Sequence, residues 1–325
     1  MSKISILCAV YNAEPFLPQC INSLRNQTLR DIQIICIDDC STDHSLQIIN
    51  EFAAEDNRII VIQTPQNEGQ AAARNRGIEI ADGEFITMVD ADDWLAPDAL
   101  EQAWDVAQQH PETDAVLFDL VKVWPDRAER YPSLPLPSLS GKDAMRLSLD
   151  WQIHGLYIIR AEIQRRWPYD DTARLYSDDN TTRLHYLSSR EVRACKGIYY
   201  YRQHENSCTQ QISMRHFDSL LAQQHMRQML VEEGTEKSIL DYYEKYRWLQ
   251  LVDNCYYLYL NRKHFTHSEK RQAREMIADA RKSIDKRALP KSIKLKFGYK
   301  PCLSFRTFML QERLYFFLRQ ITGRL

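Results

Sequence analysis

Glycine is scarce in this chain, nine residues in 325. Neither a G-x-G-x-x-G run nor a G-x-x-x-x-G-K-[ST] loop occurs, so the chain does not cradle phosphates in a Gly-rich turn. That argues against a nicotinamide enzyme and against a P-loop enzyme. The eight cysteines include no C-x-x-C pair. Cys36 and Cys40 stand closest, without a matching second pair, so the expectation is buried, reduced thiols of a cytosolic protein rather than zinc ligands. No run approaches the ~18 apolar residues of a membrane span. The short apolar segment after Lys3 runs into Tyr11, Asn12 and Glu14, which reads as neither a secretory signal nor an anchor. There is no internal repeat and no low-complexity segment. No recognised nucleic-acid module is present, and nucleic acid is not an expected partner.

What is present reads as globular. Hydrophobic residues make up 44% and charged residues 26% of the chain, and the length suits one large domain or two. The net charge of −2 hides an asymmetry. Residues 281–325 carry 12 Lys or Arg against Asp285 and Glu312, a balance of +10, which leaves −12 on the remainder. A basic tail on an acidic body points to an anionic surface as partner.

The first half alternates two periodicities. "ISILCAV" (4–10), "IQIICID" (32–38), "RIIVIQT" (58–64), "EFITMVD" (84–90) and "DAVLFDLVKVW" (114–124) are apolar runs. Between them lie segments at helical spacing, for instance Phe16, Leu17, Cys20, Ile21 and Leu24, with Ser41 or Asp43 placed to cap the second helix. Strand, helix, strand, helix over about 120 residues predicts βαβ units, a mostly parallel sheet and helices on both faces. Residues 125–140, with Pro125, Pro132, Pro135 and Pro137, read as an irregular connection. Residues 141–212 look mixed, with an aromatic strand at "GIYYYRQ" (197–203), and the pattern is helical from about 213 onward.

Ligands of such sheets sit beyond the carboxyl ends of the strands, and polar residues collect there: Tyr11 and Asn12, then Asp38 and Asp39, then Asp90, Asp92 and Asp93. Like charges at ~4 Å repel by about 4 kcal/mol at an effective dielectric near 20. Crowded carboxylates therefore need a cation, a shifted pKa or open water. Asp-x-Asp at a strand end offers hard oxygen ligands of the kind magnesium or manganese takes, the rest of the shell being water and phosphate oxygens. Asp90 and Asp92 are the expected ligands, and Asp93 is expected to cap the following helix.

"ISILCAVYNAEPFLPQCINSLRNQT", "IICIDDCSTDHS", "NEGQAAARNRGIEIADGEFITMVDADDW" and "YYYRQHENSCTQ" together resemble the inverting glycosyltransferases of family 2, of bacterial cell-surface polysaccharide type. The resemblance is ordered and nearly gap-free over residues 4–100 and patchy to about 212. It implies an α/β GT-A fold, a Rossmann-like mixed sheet flanked by helices. The expected catalytic domain is 1–212, with a nucleotide-binding half of about 1–124 and an acceptor half of about 141–212, followed by a helical region at 213–325. It implies a nucleotide-sugar donor, usually UDP-linked, and a divalent metal. Asp39 matches the aspartate that holds the base, with Ala9, Tyr11 and Asn12 at the same end. Gly69 and Arg74 match the segment flanking the nucleotide. Asp90 falls near the ribose and Asp92 on the metal. Inverting transfer needs a base for the acceptor hydroxyl, which the family draws from a Glu-Asp pair. The matching residues in "YSDDNTTRL" are Asp178 and Asp179, with Asp179 the expected base and Asp178 the runner-up. An acid-enriched helix N-terminus is the alternative. Arg202 and His204 stand where they would meet the diphosphate or the acceptor, with His204 given little weight. Ala9 departs from the Pro or Thr of many relatives.

Residues 241–260 read as a helix burying an aromatic stripe. For 286–325, Lys286, Arg287, Lys291, Lys294, Lys296 and Lys300 precede an apolar, Arg-flanked helix. This suits peripheral contact with the cytoplasmic face of the inner membrane, at about 1 kcal/mol per basic residue, and a homodimer interface is the alternative. The expected partners are a nucleotide-sugar and a glycan or lipid-linked glycan acceptor. The rival readings are a nucleotidyltransferase, which also pairs Asp with metal but lacks its N-terminal Gly-rich loop here, and a non-catalytic scaffold that binds nucleotide-sugar.

Overall fold

The computed structural model describes residues 2–132, 137–171, 177–204 and 212–322. The chain divides into two compact units, Met1–Thr209 and Gln210–Leu325.

In the first unit the apolar runs become β1 (Ile4–Val10), β2 (Ile32–Asp38), β3 (Ile59–Gln63), β4 (Phe85–Met88) and, after the two-residue β5 (Trp94–Leu95), β6 (Thr113–Val123). The helices between them are α1 (Leu17–Arg25), α2 (Ser45–Glu55), α3 (Gln70–Ile80) and α4 (Ala99–Gln109). β1 to β4 pair in parallel in the order β3-β2-β1-β4. Their side chains divide by strand period between two cores. Ile4, Ile6, Cys8, Ile32, Ile34 and Cys36 pack with α1 and α4. Leu7, Ile35 and Ile37 pack with Ala73 and Ile78 of α3. Helices therefore cover both faces, which is why these strands read as unbroken apolar runs. Gly77 lets α3 lie close: a Cβ there would meet Leu7 Cδ2 at 2.9 Å.

The rest of the sheet departs from the parallel expectation. Beyond β8 (Leu139–Ser140), α5 (Gly141–Leu149) leads to β9 (Tyr157–Arg160), which inserts antiparallel between β4 and β6. After α6 (Ala161–Arg166) and α7 (Ser177–Ser188), β10 (Glu191–Arg202) runs parallel to β6 and antiparallel to β5. The sheet is mixed. The stretch at 125–140, read as irregular, also contributes β7 (Ala128–Arg130), paired with β6, and β8, paired with β10. Pro125, Pro132 and Pro137 lie outside both short strands and do not prevent these pairings. The seven described cysteines are free.

The second unit is helical: α8 (Asp218–Glu232), α9 (Lys237–Leu260), α10 (His267–Ser283), the one-turn α11 (Lys291–Lys294) and α12 (Phe305–Ile321). Trp248, Leu251 and Cys255 of α9 meet Ala273 and Ile277 of α10 and Phe308 and Phe316 of α12. A Thr266–Glu269 capping box starts α10. Among the described residues no helix is long and apolar enough to cross a membrane.

Candidate active site

β1 lies between β2 and β4, the point at which strand order reverses. The crevice outside the carboxyl ends of the strands at such a point is where open α/β sheets bind ligands. The chain leaves β1 into Tyr11, half exposed, and Asn12, which takes a φ of +49°. Asn12 Oδ1 accepts the Thr42 N–H at 2.8 Å, and its own N–H donates to Ser41 Oγ at 3.0 Å. The loops after β1 and β2 are thereby stapled together. Ala9, on β1 beside Ile37, is partly buried against the α3 side of the sheet.

Asp39, just past β2, is buried. Its Oδ1 accepts the Glu68 N–H at 2.9 Å and the Thr64 hydroxyl at 3.0 Å, and its Oδ2 accepts the Gly69 N–H at 2.8 Å. Gly69 holds a φ of +92° to aim that N–H, a conformation open to glycine. Three donors leave the carboxylate one acceptor position, on Oδ2, of its roughly four.

Past β4, Asp90 Oδ1 takes Arg74 Nη2 at 2.5 Å and Gln70 Nε2 at 2.8 Å. Both donors come from the first two turns of α3. Arg74 is 2% exposed and lies over the Tyr169 ring at 5.1 Å. Burial pushes the Asp90 carboxyl up to about 6; Arg74 pulls it down, and Asp92 and Asp178 add to the rise. Removing the cation from a buried pair is costly. We expect Arg74→Met to lose about 3 kcal/mol of stability, the low end for such a change because Asp90 reaches solvent. A urea titration of the two proteins measures it.

Oxygens of Asp90, Asp92 and Asp93 lie within 4.8 Å of one another. This is an all-carboxylate set of hard donors, the kind a divalent cation takes, and its crowded charge is what such an ion relieves. The three are not equivalent. Asp92 Oδ2 lies 2.8 Å from His204 Nε2, whose Nδ1 is buried without a partner. Asp93 is 1% exposed and does not cap a helix, since α4 begins six residues later. Its Oδ2 accepts the Tyr199 hydroxyl at 2.8 Å and its Oδ1 the Arg202 N–H at 2.7 Å. Burial pushes this carboxyl well up, with Asp90 and Asp92 adding, while the Arg202 N–H and the Tyr199 hydroxyl pull it back. Asp93 is thus a strap between the loop and β10, and Asp90 and Asp92 are the oxygens left for an ion.

Arg202 is fixed from several sides. Its Nε donates to the Asp92 carbonyl at 2.7 Å and its Nη2 to Gln19 Oε1 at 2.6 Å, and its guanidinium lies over Phe16 and Trp94. Asp178 and Asp179 open α7. Burial pushes Asp179 up to about 6, opposed by Arg183 and helped by Asp178; Arg183 Nη2 is 3.4 Å away. Asp178 is the member whose charge is felt at Asp90 and Arg74.

The sequence reading missed Gln70 and Tyr199, and it discounted His204. A glutamine at the start of a helix and a tyrosine on a strand carry no signal of their own. The last six residues of the motif at the end of β10 that pointed to this region, 205–210, lie outside the described residues.

Residues 5–166 match the glycosyl transferase family 2. EpsJ of Bacillus subtilis, named an uncharacterized glycosyltransferase, is 32% identical over 219 residues, 64% of this chain and 63% of that one. A poly(ribitol-phosphate) beta-glucosyltransferase of Bacillus spizizenii is 41% identical over 121 residues, 36% of this chain and 19% of that one. Two further relatives are matched over 37% and 41% of their length, so the chain spans less than two thirds of each of these four proteins. The crystal structure of residues 1–349 of TarS from S. aureus, in complex with UDP-GlcNAc, superposes with a TM-score of 0.79 at 20% identity, covering 96% of this chain and 91% of that one. The fold is that of the GT-A enzymes.

Proposed function

The chain belongs, through residues 5–166, to glycosyl transferase family 2, and from that premise we propose that it moves a sugar from a nucleoside-diphosphate sugar, with UDP as the nucleotide, to a hydroxyl of a surface glycan or lipid-linked glycan. The transfer is metal-dependent and inverts the anomeric carbon. The observation that carries this reading is the acidic rim itself: Asp39, Asp90 and Asp92 at the carboxyl ends of β2 and β4, on either side of β1, with Arg74 beside them. The donor of one structural neighbour, UDP-GlcNAc, and the name of one relative, a glucosyltransferase, support the substrate class.

Each residue then has a task. The remaining acceptor position of Asp39 takes the imide N–H of the base, a donor that uracil offers and cytosine and adenine lack, and the loops tied by Asn12, with Tyr11 and Ala9, line the same end. Gly69 and Arg74 flank the nucleotide, and Arg74 keeps Asp90 ionised at the ribose end. Asp92 and Asp90 would hold manganese or magnesium, which supplies Lewis-acid charge to the diphosphate oxygens. Arg202, held rigid by its aromatic neighbours, offers fixed positive charge to the departing diphosphate, and such preorganised charge is worth most where it need not rearrange. Asp179 accepts the proton of the acceptor hydroxyl as that oxygen attacks from the face opposite the leaving group.

A panel of UDP- and GDP-sugars with manganese, read by nucleotide release and thermal shift, tests the reading. UDP at 100 times its Kd adds about 2.7 kcal/mol, so a rise of about 5 °C or more is expected, with GDP giving less. UDP binding without release from any UDP-sugar is the result of a nucleotide-holding scaffold and refutes catalysis.

The reading extends to location. Residues 286–325 contact an anionic bilayer from the cytoplasmic side. Support comes from the basic excess of this segment and from a row of exposed apolar side chains on α12, namely Leu310, Leu314, Phe317, Leu318 and Ile321.

A further inference from the structure

The second unit contains a cavity of about 250 Å³ between α9, α10 and α12. Its apolar wall includes Leu258, Met309 and Phe316, and four cations line it: Arg262, Lys270, Arg274 and Arg313. Lys270 and Arg274 are one turn apart on α10 and share a face. None of the four makes an ion pair among the described residues. Arg262 donates to the Tyr259 carbonyl at 2.6 Å, which leaves its charge uncompensated. Elsewhere on this unit exposed cations do find carboxylates, as Lys237 finds Asp241, Lys282 finds Asp279 and Arg287 finds Asp285.

The carboxyl group in the cavity wall belongs to Glu312. It is 1% exposed, and its buried Oε2 has no hydrogen-bond partner; Oε1 accepts from Gln311 Nε2 at 3.1 Å. Burial pushes its pKa up to about 8. Burial thus favours the neutral acid, which weakens its competition with an incoming anion for the cations. Oε2 is itself closed off from solvent, so the Glu312 carboxyl lies within the wall, behind the cations that face the cavity. Guanidinium forks match phosphate oxygens.

We propose that this cavity binds a phosphate ester or diphosphate, its oxygens held by Arg262, Lys270, Arg274 and Arg313, with the organic portion against Phe316, Met309 and Leu258. The ligand comes either from a soluble phosphoryl compound or from a lipid phosphate headgroup.

The full chain is titrated with inorganic pyrophosphate in the absence of divalent metal. It is separately sedimented with phosphatidylcholine vesicles containing either phosphatidic acid or phosphatidylserine at matched surface charge. The comparison protein is Lys270→Gln/Arg274→Gln, whose substituted side chains lie at the helix surface, so its melting temperature should match the wild type. At least a ten-fold loss of affinity for either probe in the double variant supports the site. Glu312→Gln, which removes the ionisable group and keeps its size, retains binding. Variant-sensitive preference for phosphatidic acid over phosphatidylserine assigns a lipid source, and variant-sensitive pyrophosphate binding without that preference assigns a soluble one. If neither probe distinguishes the double variant from the wild type, the proposal is wrong.

Discussion

Asp92→Asn is expected to abolish the manganese-dependent thermal shift with UDP and to lower kcat/KM by about 10²–10³-fold or more. Losing even an outer partner of a metal ligand costs about 10–100-fold, and losing a group that stabilises developing charge costs about 10²–10³-fold. Metal-free stability should hardly move, because the side-chain contact this carboxylate makes is to His204. Its neighbour gives the opposite result. Asp93→Ala leaves the Tyr199 hydroxyl and the Arg202 N–H without their acceptor in a buried place, at about 1–3 kcal/mol for each orphaned donor. It should melt early in calorimetry, with metal or without. An unchanged metal-dependent shift in Asp92→Asn would remove this residue from the ion site.

Asp179→Asn is expected to lower kcat by about 10²–10⁴-fold with KM little changed, the usual worth of a positioned base. The pH profile carries the assignment. A carboxyl raised to about 6 is the free base above that value. The wild-type kcat should therefore be flat above pH 6 and fall about ten-fold per unit below it, a limb absent from the residual activity of the variant. Stability runs the other way. The folded state binds the extra proton between the ordinary carboxylate pKa and about 6, so this group's contribution falls as pH rises through that window. Asp179→Asn, lacking the cost of ionisation, should be no less stable than the wild type at pH 8, which separates lost chemistry from lost fold. Asp178→Asn should reduce kcat less. A larger loss there than at Asp179 makes Asp178 the base, a result its electrostatic contact with Asp90 and Arg74 would account for.

Composition and periodicity determined that β1, β2 and β4 are strands buried on both faces, that polar residues follow each of them, and that α9 is a core helix. These are local properties: an apolar run bounded by polar residues behaves the same way wherever it folds. The resemblance of four short segments then supplied candidate roles for Asp39, Asp90 and Asp92. What only the tertiary structure decided involves residues about a hundred positions apart. Asp93 reads as a cap in the sequence and is a strap because Tyr199 and the Arg202 N–H arrive from β10. His204 reads as an isolated histidine and stands against Asp92. β9 turns a parallel sheet into a mixed one by inserting between β4 and β6. Antiparallel insertion, cross-sheet hydrogen bonds and an unsatisfied Glu312 in the wall of a cationic cavity depend on which strands and helices become neighbours. That choice is made by the packing of whole elements, and no window of sequence contains it.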